Sequence, residues 1–267
     1  MKVSRRKFLA ALGIAIGIPL IDSLIAEPAL LITKAKLKLR LNIKGSMLKL
    51  VQLSDLHFGS SNPLLYSTVK SIVEGLKPDV IVITGDTISK VEALDNAIEF
   101  LEELERVAPI FIVWGNWDHW SLGNRITEFK ESLESIGEIK VLVNENFVLE
   151  NGVSIVGVDD PYTGHDNLDL ALKGSSNIRI LLAHSPQIID KAVNNVDLVL
   201  TGHTHGGQVV PPLIGPVYVP LPAKYRKYVS GLFKIENTVM YVSKGLGTSV
   251  LPVRFNCPPE VLLVEIY

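Results

Sequence analysis

VIVITGD, residues 80–86, is a run of apolar and β-branched residues closed by a glycine and a carboxylate. A short apolar run of this kind, bounded by turn residues and with no alternation, reads as a strand buried on both faces of a sheet. Working outward, the same grammar recurs. Leu48 to Leu53 runs into Ser54-Asp55-Leu56-His57, and Ile110 to Trp114 into Gly115-Asn116. Residues 178–182 run into Ala183-His184, and residues 197–200 into Thr201-Gly202-His203. Helical periodicity fills the gaps at 64–76, 91–107, 124–136, 166–173 and 186–194, with further strands expected at 139–143, 147–149, 153–158, 239–242 and 261–266. Leu37, Leu39, Leu41 and Ile43 alternate with polar residues, which predicts an edge strand with one wet face. The pattern is α/β, in one large domain.

Five apolar strands each end in Asp, Asn or His. In α/β sheets the loops beyond the strands' carboxyl ends converge, and ligands collect there. A structural role would need a separate explanation at each of these positions, whereas a metal site explains them together. The candidate ligands are Asp55, His57, Asp86, Asn116, His184, His203 and His205. Carboxylate, imidazole and amide oxygen together suit two divalent ions of intermediate softness: Mn, Fe, Zn or Co. Asp55 and His57 are two residues apart, so a continuing strand would turn both to one face. A carboxylate such as Asp86 has two oxygens with which to bridge ions, and a metal pair activates water for attack on phosphorus.

The order DLH (55–57), GD (85–86), GN (115–116), AH (183–184) and GHTHGG (202–207) resembles that of the calcineurin-like metallophosphoesterase superfamily, over about residues 48–267. GHTHGGQ (202–208), GVDDP (157–161) and RFNCPPE (254–260) are similar to its exported bacterial and archaeal branch. The resemblance implies a four-layer α-β-β-α sandwich of the metallo-dependent phosphatase type, with the motifs on loops at one edge. It implies that Asp55, His57 and His205 hold one ion and Asn116, His184 and His203 the other, bridged by Asp86. The implied activity is hydrolysis of a phosphodiester or pyrophosphate bond in a phosphorylated small molecule or lipid, including nucleotide-linked lipid precursors. A broad phosphomonoesterase and a metal-bound envelope protein without turnover are the alternatives.

One position departs from that pattern. The family's GNH segment reads Gly115-Asn116-Trp117-Asp118-His119 here, with an indole in place of a proton-donating imidazole. His119 is the candidate replacement acid, and a stable anionic leaving group would need it least. Trp117 and Trp120 are candidate apolar walls for the substrate, and His165 is a candidate phosphate contact. Asp118 is a candidate to orient a ligand imidazole, and Ser89 stands where the family often has an Asp. Cys257, the chain's single cysteine, excludes an intrachain disulfide framework and is expected to pack.

The first 32 residues are read as an address rather than as fold. Lys2, Arg5, Arg6 and Lys7 precede an apolar run from Leu9 to Ile21, similar to a twin-arginine signal or a membrane anchor. No A-x-A cleavage pattern follows, so both readings stand. The expected partners are the twin-arginine export machinery and a membrane surface, with residues 33–267, the metallophosphoesterase domain, extracytoplasmic. With a net charge of −2 over 267 residues, and four of the basic groups in the leader, the domain is mildly acidic. That balance gives no basic footprint for nucleic acid.

Overall fold

The computed structural model describes residues 22–267; the Arg5-Arg6 pair and the apolar run to Ile21 lie outside them. Two six-stranded mixed sheets form the centre. The first has the order β1-β12-β2-β3-β4-β5: β1 is Thr33–Leu39, β2 Leu48–Leu53, β3 Val80–Thr84, β4 Ile110–Val113, β5 Ile139–Val141 and β12 Glu260–Ile266. The second has the order β10-β11-β9-β8-β7-β6: β6 is Glu145–Val148, β7 Val153–Gly157, β8 Ile178–Leu182, β9 Leu198–Thr201, β10 Gly231–Ile235 and β11 Thr238–Val242. In each sheet four adjacent strands run parallel: β2 to β5 in the first, and β7, β8, β9 and β11 in the second.

The layers follow from strand periodicity. Val80 and Val82 of β3, with Phe111 and Val113 of β4, point inward and meet Ile180, Leu182, Leu198 and Leu200 of the other sheet. Ile81, Ile83, Ile110 and Ile112 point outward onto α1 (Leu64–Leu76), α2 (Leu94–Glu105) and α4 (Ile126–Glu134). On the far side Leu181 and Val199 face the short helices α5 (Leu168–Ala171) and α6 (Ile189–Ala192). Both faces of the parallel strands are covered, which is why they read as continuous apolar runs. The result is the four-layer sandwich of the metallo-dependent phosphatase type.

Some elements differ from expectation. Helix α3 (Asn116–Leu122) lies where strand-end loop was expected, and the helix expected over 124–136 is regular only as α4. The edge strand covers Thr33–Leu39 rather than 37–43, because pairing with β12 runs from Thr33 opposite Glu260 to Leu39 opposite Ile266. The packed body also begins before residue 33. Glu27 is buried and its carboxylate accepts the backbone N–H groups of Asn256 (2.8 Å) and Cys257. The division at residues 32 and 33 therefore does not coincide with where packing starts.

Candidate metal centre

Strand β2 ends at Leu53, so Asp55 and His57 do not lie on a continuing strand. Both adopt left-handed backbone, φ 54° and 52°, as do Asp86 (52°), His203 (70°) and His205 (51°). Non-glycine residues rarely adopt such φ values, and strain of this kind gathers at functional sites. The expectation of a shared strand face gives way to a sharp turn at each residue, and the turns bring the side chains together. Two groups result that share one carboxylate: Asp55, His57, Asp86 and His205, and Asp86, His184 and His203, with the ligand atoms of each within 4.8 Å of one another. Asn116, at the start of α3, puts Oδ1 3.2 Å from His184 Nε2. Glycine permits the close approach at two places: a Cβ on Gly202 would overlap Ser54 Oγ and Asp55, and one on Gly115 would overlap Asp86.

Backbone and hydroxyl partners fix which imidazole nitrogens face inward. His203 Nε2 donates to Pro220 O (2.9 Å) and His184 Nδ1 to Thr84 O (2.9 Å). Their other nitrogens, His203 Nδ1 and His184 Nε2, face each other at 3.1 Å, with Asp86 Oδ2 3.2 Å from the latter. In the other group His57 Nδ1 pairs with Ser89 Oγ (2.7 Å), leaving Nε2 3.0 Å from His205 Nε2 and 3.5 Å from Asp86 Oδ2. His205 Nε2 is 3.3 Å from Asp55 Oδ1.

The protonation pattern shows that this convergence of lone pairs calls for positive charge. Burial disfavours a charged His184, but the charge and hydrogen bond of Asp86 outweigh it and push the imidazole up to about 10. Asp86 itself is held down to about 2, burial being overcome by the charge of His184 and its hydrogen bond. Burial lowers His57 to about 4, and burial with the His184 charge lowers His203 to about 3; burial also drives His205 well down. Burial raises Asp55 to about 6. Without a metal, one proton on His184 is the cation at the centre; buried neutral imidazoles and carboxylates are the donor set that divalent ions replace protons on. The two donor groups that share Asp86 can each bind a divalent ion, and their donors fit Mn, Fe, Zn or Co without choosing among them.

Around the centre the other candidates fall into place. Trp117 N–H donates to Asp86 Oδ1 (2.8 Å), and its ring meets His57 edge-on at 5.8 Å between centroids. His119 does not reach the clusters. Its Nε2 is 2.7 Å from Asp159 Oδ1 and its ring stacks on His165 at 4.4 Å, 19° apart. Burial opposes a proton on His119, but Asp159 more than compensates and holds its pKa above the ordinary value. His165 is exposed, pairs with Thr163 Oγ1 (2.7 Å) and does not line the metal cleft. His119, Asp159 and His165 form a third group of potential donors among the described residues, separate from the two that share Asp86. Asp118 orients no imidazole: its oxygens accept Ile88 N–H (2.8 Å) and Gly115 N–H (2.9 Å), fixing the turns that carry Asp86 and Asn116. Trp114 is core, against Phe129.

Four residues stand out that had no assigned site role. Ser89 supports His57. Tyr162, presented by a turn whose N–H groups Asp160 accepts, packs its ring against His203 at 4.4 Å between centroids, tilted by 44°. Arg254 is fully buried, donates to Gly247 O, Lys244 O and Cys257 O, and lies 3.4 Å from His205 Nδ1. Gln208 joins two loops at the rim. Each had a sequence signal, Ser89 at the family's Asp position, Tyr162 beside GVDDP, Gln208 in GHTHGGQ and Arg254 in RFNCPPE, but the full burial of the guanidinium had none.

The centre opens into a cleft of about 580 Å³ walled by Trp117, Trp120, Tyr162, Val217, Tyr218 and Leu251. A larger depression, about 760 Å³, lies between α1 and α2 among Lys70, Glu74, Glu99 and Glu103, and holds none of the metal-site residues. Bound divalent ions would supply an activated hydroxide and neutralise phosphoryl charge. The chain's own residues orient the candidate ligands and hold Asp86 between the two groups.

The family profile described as calcineurin-like phosphoesterase matches residues 48–207. Uncharacterized metallophosphoesterase YkuE of Bacillus subtilis is 34% identical over 225 residues, 80% of this chain and 77% of that one. An uncharacterized metallophosphoesterase of Aquifex aeolicus is 33% identical over 236 residues, 84% and 86% of the two chains. Phosphodiesterase YaeI of Escherichia coli is 32% identical over 229 residues, 82% of each. A profile matching more than half the chain, relatives alike along four-fifths of it, and two carboxylate-linked imidazole clusters agree: the chain belongs to the calcineurin-like phosphoesterase family, as a two-metal hydrolase of phosphoester or anhydride bonds.

Proposed function

We propose that this hydrolase cleaves a phosphodiester or pyrophosphate whose leaving group is a stable anion, in a lipid-linked or envelope substrate. The observation that carries the reading is at Trp117: an indole walls the cleft where the family's acid would stand, and His119 is turned to Asp159. An alkoxide leaving group needs a proton in the transition state; a phosphate leaving group does not. The apolar cleft suits a lipid or nucleoside portion. The Escherichia coli relative's name, phosphodiesterase, points the same way.

The ligand roles belong to the same proposal: Asp55, His57 and His205 hold one ion, Asn116, His184 and His203 the other, and Asp86 bridges them. Trp117 is a substrate contact. His119 is held by Asp159 with His165 stacked on it, outside the cleft lining, rather than placed as an acid. Arg5-Arg6 and the following apolar run support export through the twin-arginine machinery, or retention as an anchor, as in the exported GHTHGGQ branch. Among the described residues no helix is long and apolar enough to cross a membrane, so the apolar run before Asp22 carries this reading alone.

The test is a rate comparison on protein reconstituted with Mn, with His205→Ala as control. Diesters and pyrophosphates with good leaving groups should be cleaved at least about 100-fold faster than alkyl monoesters, the range general-acid catalysis spans. Equal rates would favour the broad phosphomonoesterase. Phosphate binding without cleavage of any of them would favour a binding protein.

A further inference from the structure

We propose that the protein docks on a lipid bilayer through an apolar rim made by the loops 209–217 and 249–253, so that the metal cleft opens at the lipid–water interface. This docking rests on the envelope placement proposed above and deepens it. Large apolar side chains exposed singly are ordinary on any protein surface, whereas a contiguous group marks a partner or a membrane. Here they are grouped. Leu213 is fully exposed, Ile214 is 78% exposed and Val250 84%, with Leu251, Val217 and Tyr218 also exposed.

The rim is built rather than loose. Pro211 O accepts the N–H groups of Ile214 (3.2 Å) and Gly215 (3.0 Å), and Val217 N–H donates to Val209 O (3.1 Å), which closes the first loop around its tip. Gln208 ties the second loop to it: Nε2 donates to Ser249 O (3.2 Å) and Leu251 O (2.9 Å), and Oε1 accepts Ser249 N–H (2.9 Å). Both loops line the cleft that holds His203 and His205. Trp120 and Tyr218, amphipathic rings of the kind that settle at headgroup level, stand at its mouth.

The chain's own start names the occupant. The basic residues Arg5, Arg6 and Lys7 and the apolar run Leu9 to Ile21 enter the described body at Asp22. Asp22, Leu30 and Leu31 share a depression with Pro212 and Phe255, at the foot of the Leu213–Ile214 tip. The lipid that receives the apolar run therefore lies beside the tip. A water-soluble partner would not require the leader's exit and the apolar tip to coincide.

The experiment uses the full chain in liposomes, labelled with an environment-sensitive fluorophore at Leu213→Cys or, as control, at Glu150→Cys. Glu150 is exposed in the turn before β7, at the opposite end of the sheet from the metal residues. Cys257 is buried and stays unlabelled. Spin-labelled phosphatidylcholine should quench the label at 213 and spare the one at 150. No quenching at 213 overturns docking, including the cases in which residues 1–21 or a second copy cover the rim. In a second arm, L213S/I214S should slow hydrolysis of a lipid-linked pyrophosphate in vesicles at least about tenfold, given the lost apolar burial, and leave a soluble nitrophenyl diester unaffected. Equal loss on both substrates overturns it too. Should the parent chain cleave neither, the hydrolytic reading fails while quenching still decides docking.

Discussion

At the scale of single residues, the centre depends on the partners of its imidazoles as much as on the imidazoles. Ser89 is the clearest case. It bonds His57 Nδ1 at 2.7 Å and so aims Nε2 at Asp86 and His205. Such supporting contacts are worth about 10- to 100-fold in metal affinity, and Ser89→Ala should lose that much in a Mn titration while the fold persists. Unchanged affinity would show that the strained turn at His57 suffices. The candidate ligands were legible in the sequence because each follows an apolar strand. How they meet was not. Asp55 and His57 were expected to share a strand face, and left-handed backbone at each residue does the work instead. Arg254 stood in the RFNCPPE match, but its burial was not legible: nothing local predicts that a guanidinium will be fully buried, since its compensation comes from carbonyls of Lys244 and Gly247, set by the loop packing.

At the scale of elements, buried parallel strands were the easiest to read, since runs such as Val80–Thr84 and Ile178–Leu182 are apolar on both faces and bracketed by turn residues. Helix α3 escaped because Asn116-Trp117-Asp118-His119-Trp120 has no apolar stripe. Its start is stabilised by Asp118, which accepts Gly115 N–H within the helix's own first turn and Ile88 N–H from the neighbouring loop. Both donors are withdrawn from water. Asp118→Ala should cost about 2–4 kcal/mol, because it leaves them unpaired, and urea unfolding measures it. A cost below about 1 kcal/mol would mean that water replaces the carboxylate. Strand β10 was also missed; with one edge open and the pattern Gly-Leu-Phe-Lys-Ile, it depends on antiparallel pairing with β11 for its identity.

For the whole molecule, the first described residues meet the segment before β12 beside the candidate metal centre. Glu27 holds the N–H groups of Asn256 and Cys257, Ser23 O accepts Arg254 N–H (2.9 Å), and Cys257 Sγ donates to His205 O (3.3 Å). Residues 23–27 thus brace the segment that packs against His205. Glu27→Ala should destabilise the fold by about 1–3 kcal/mol, the cost of buried donors left without an acceptor, and should weaken Mn binding in the same preparation. Lost stability with unchanged metal affinity would confine Glu27 to a structural role. The two-sheet architecture followed from the family resemblance, whereas this long-range closure joins residues more than two hundred positions apart and has no local signature.

The position of β12 has a consequence for biosynthesis. Strand β12 follows β2 in the sequence by more than two hundred residues yet lies between β1 and β2, so the first sheet cannot close until β12 has been synthesised. Arg254 and Cys257, which buttress His205, emerge equally late. The support of His205 therefore forms together with that closure, since Arg254 and Cys257 directly precede β12.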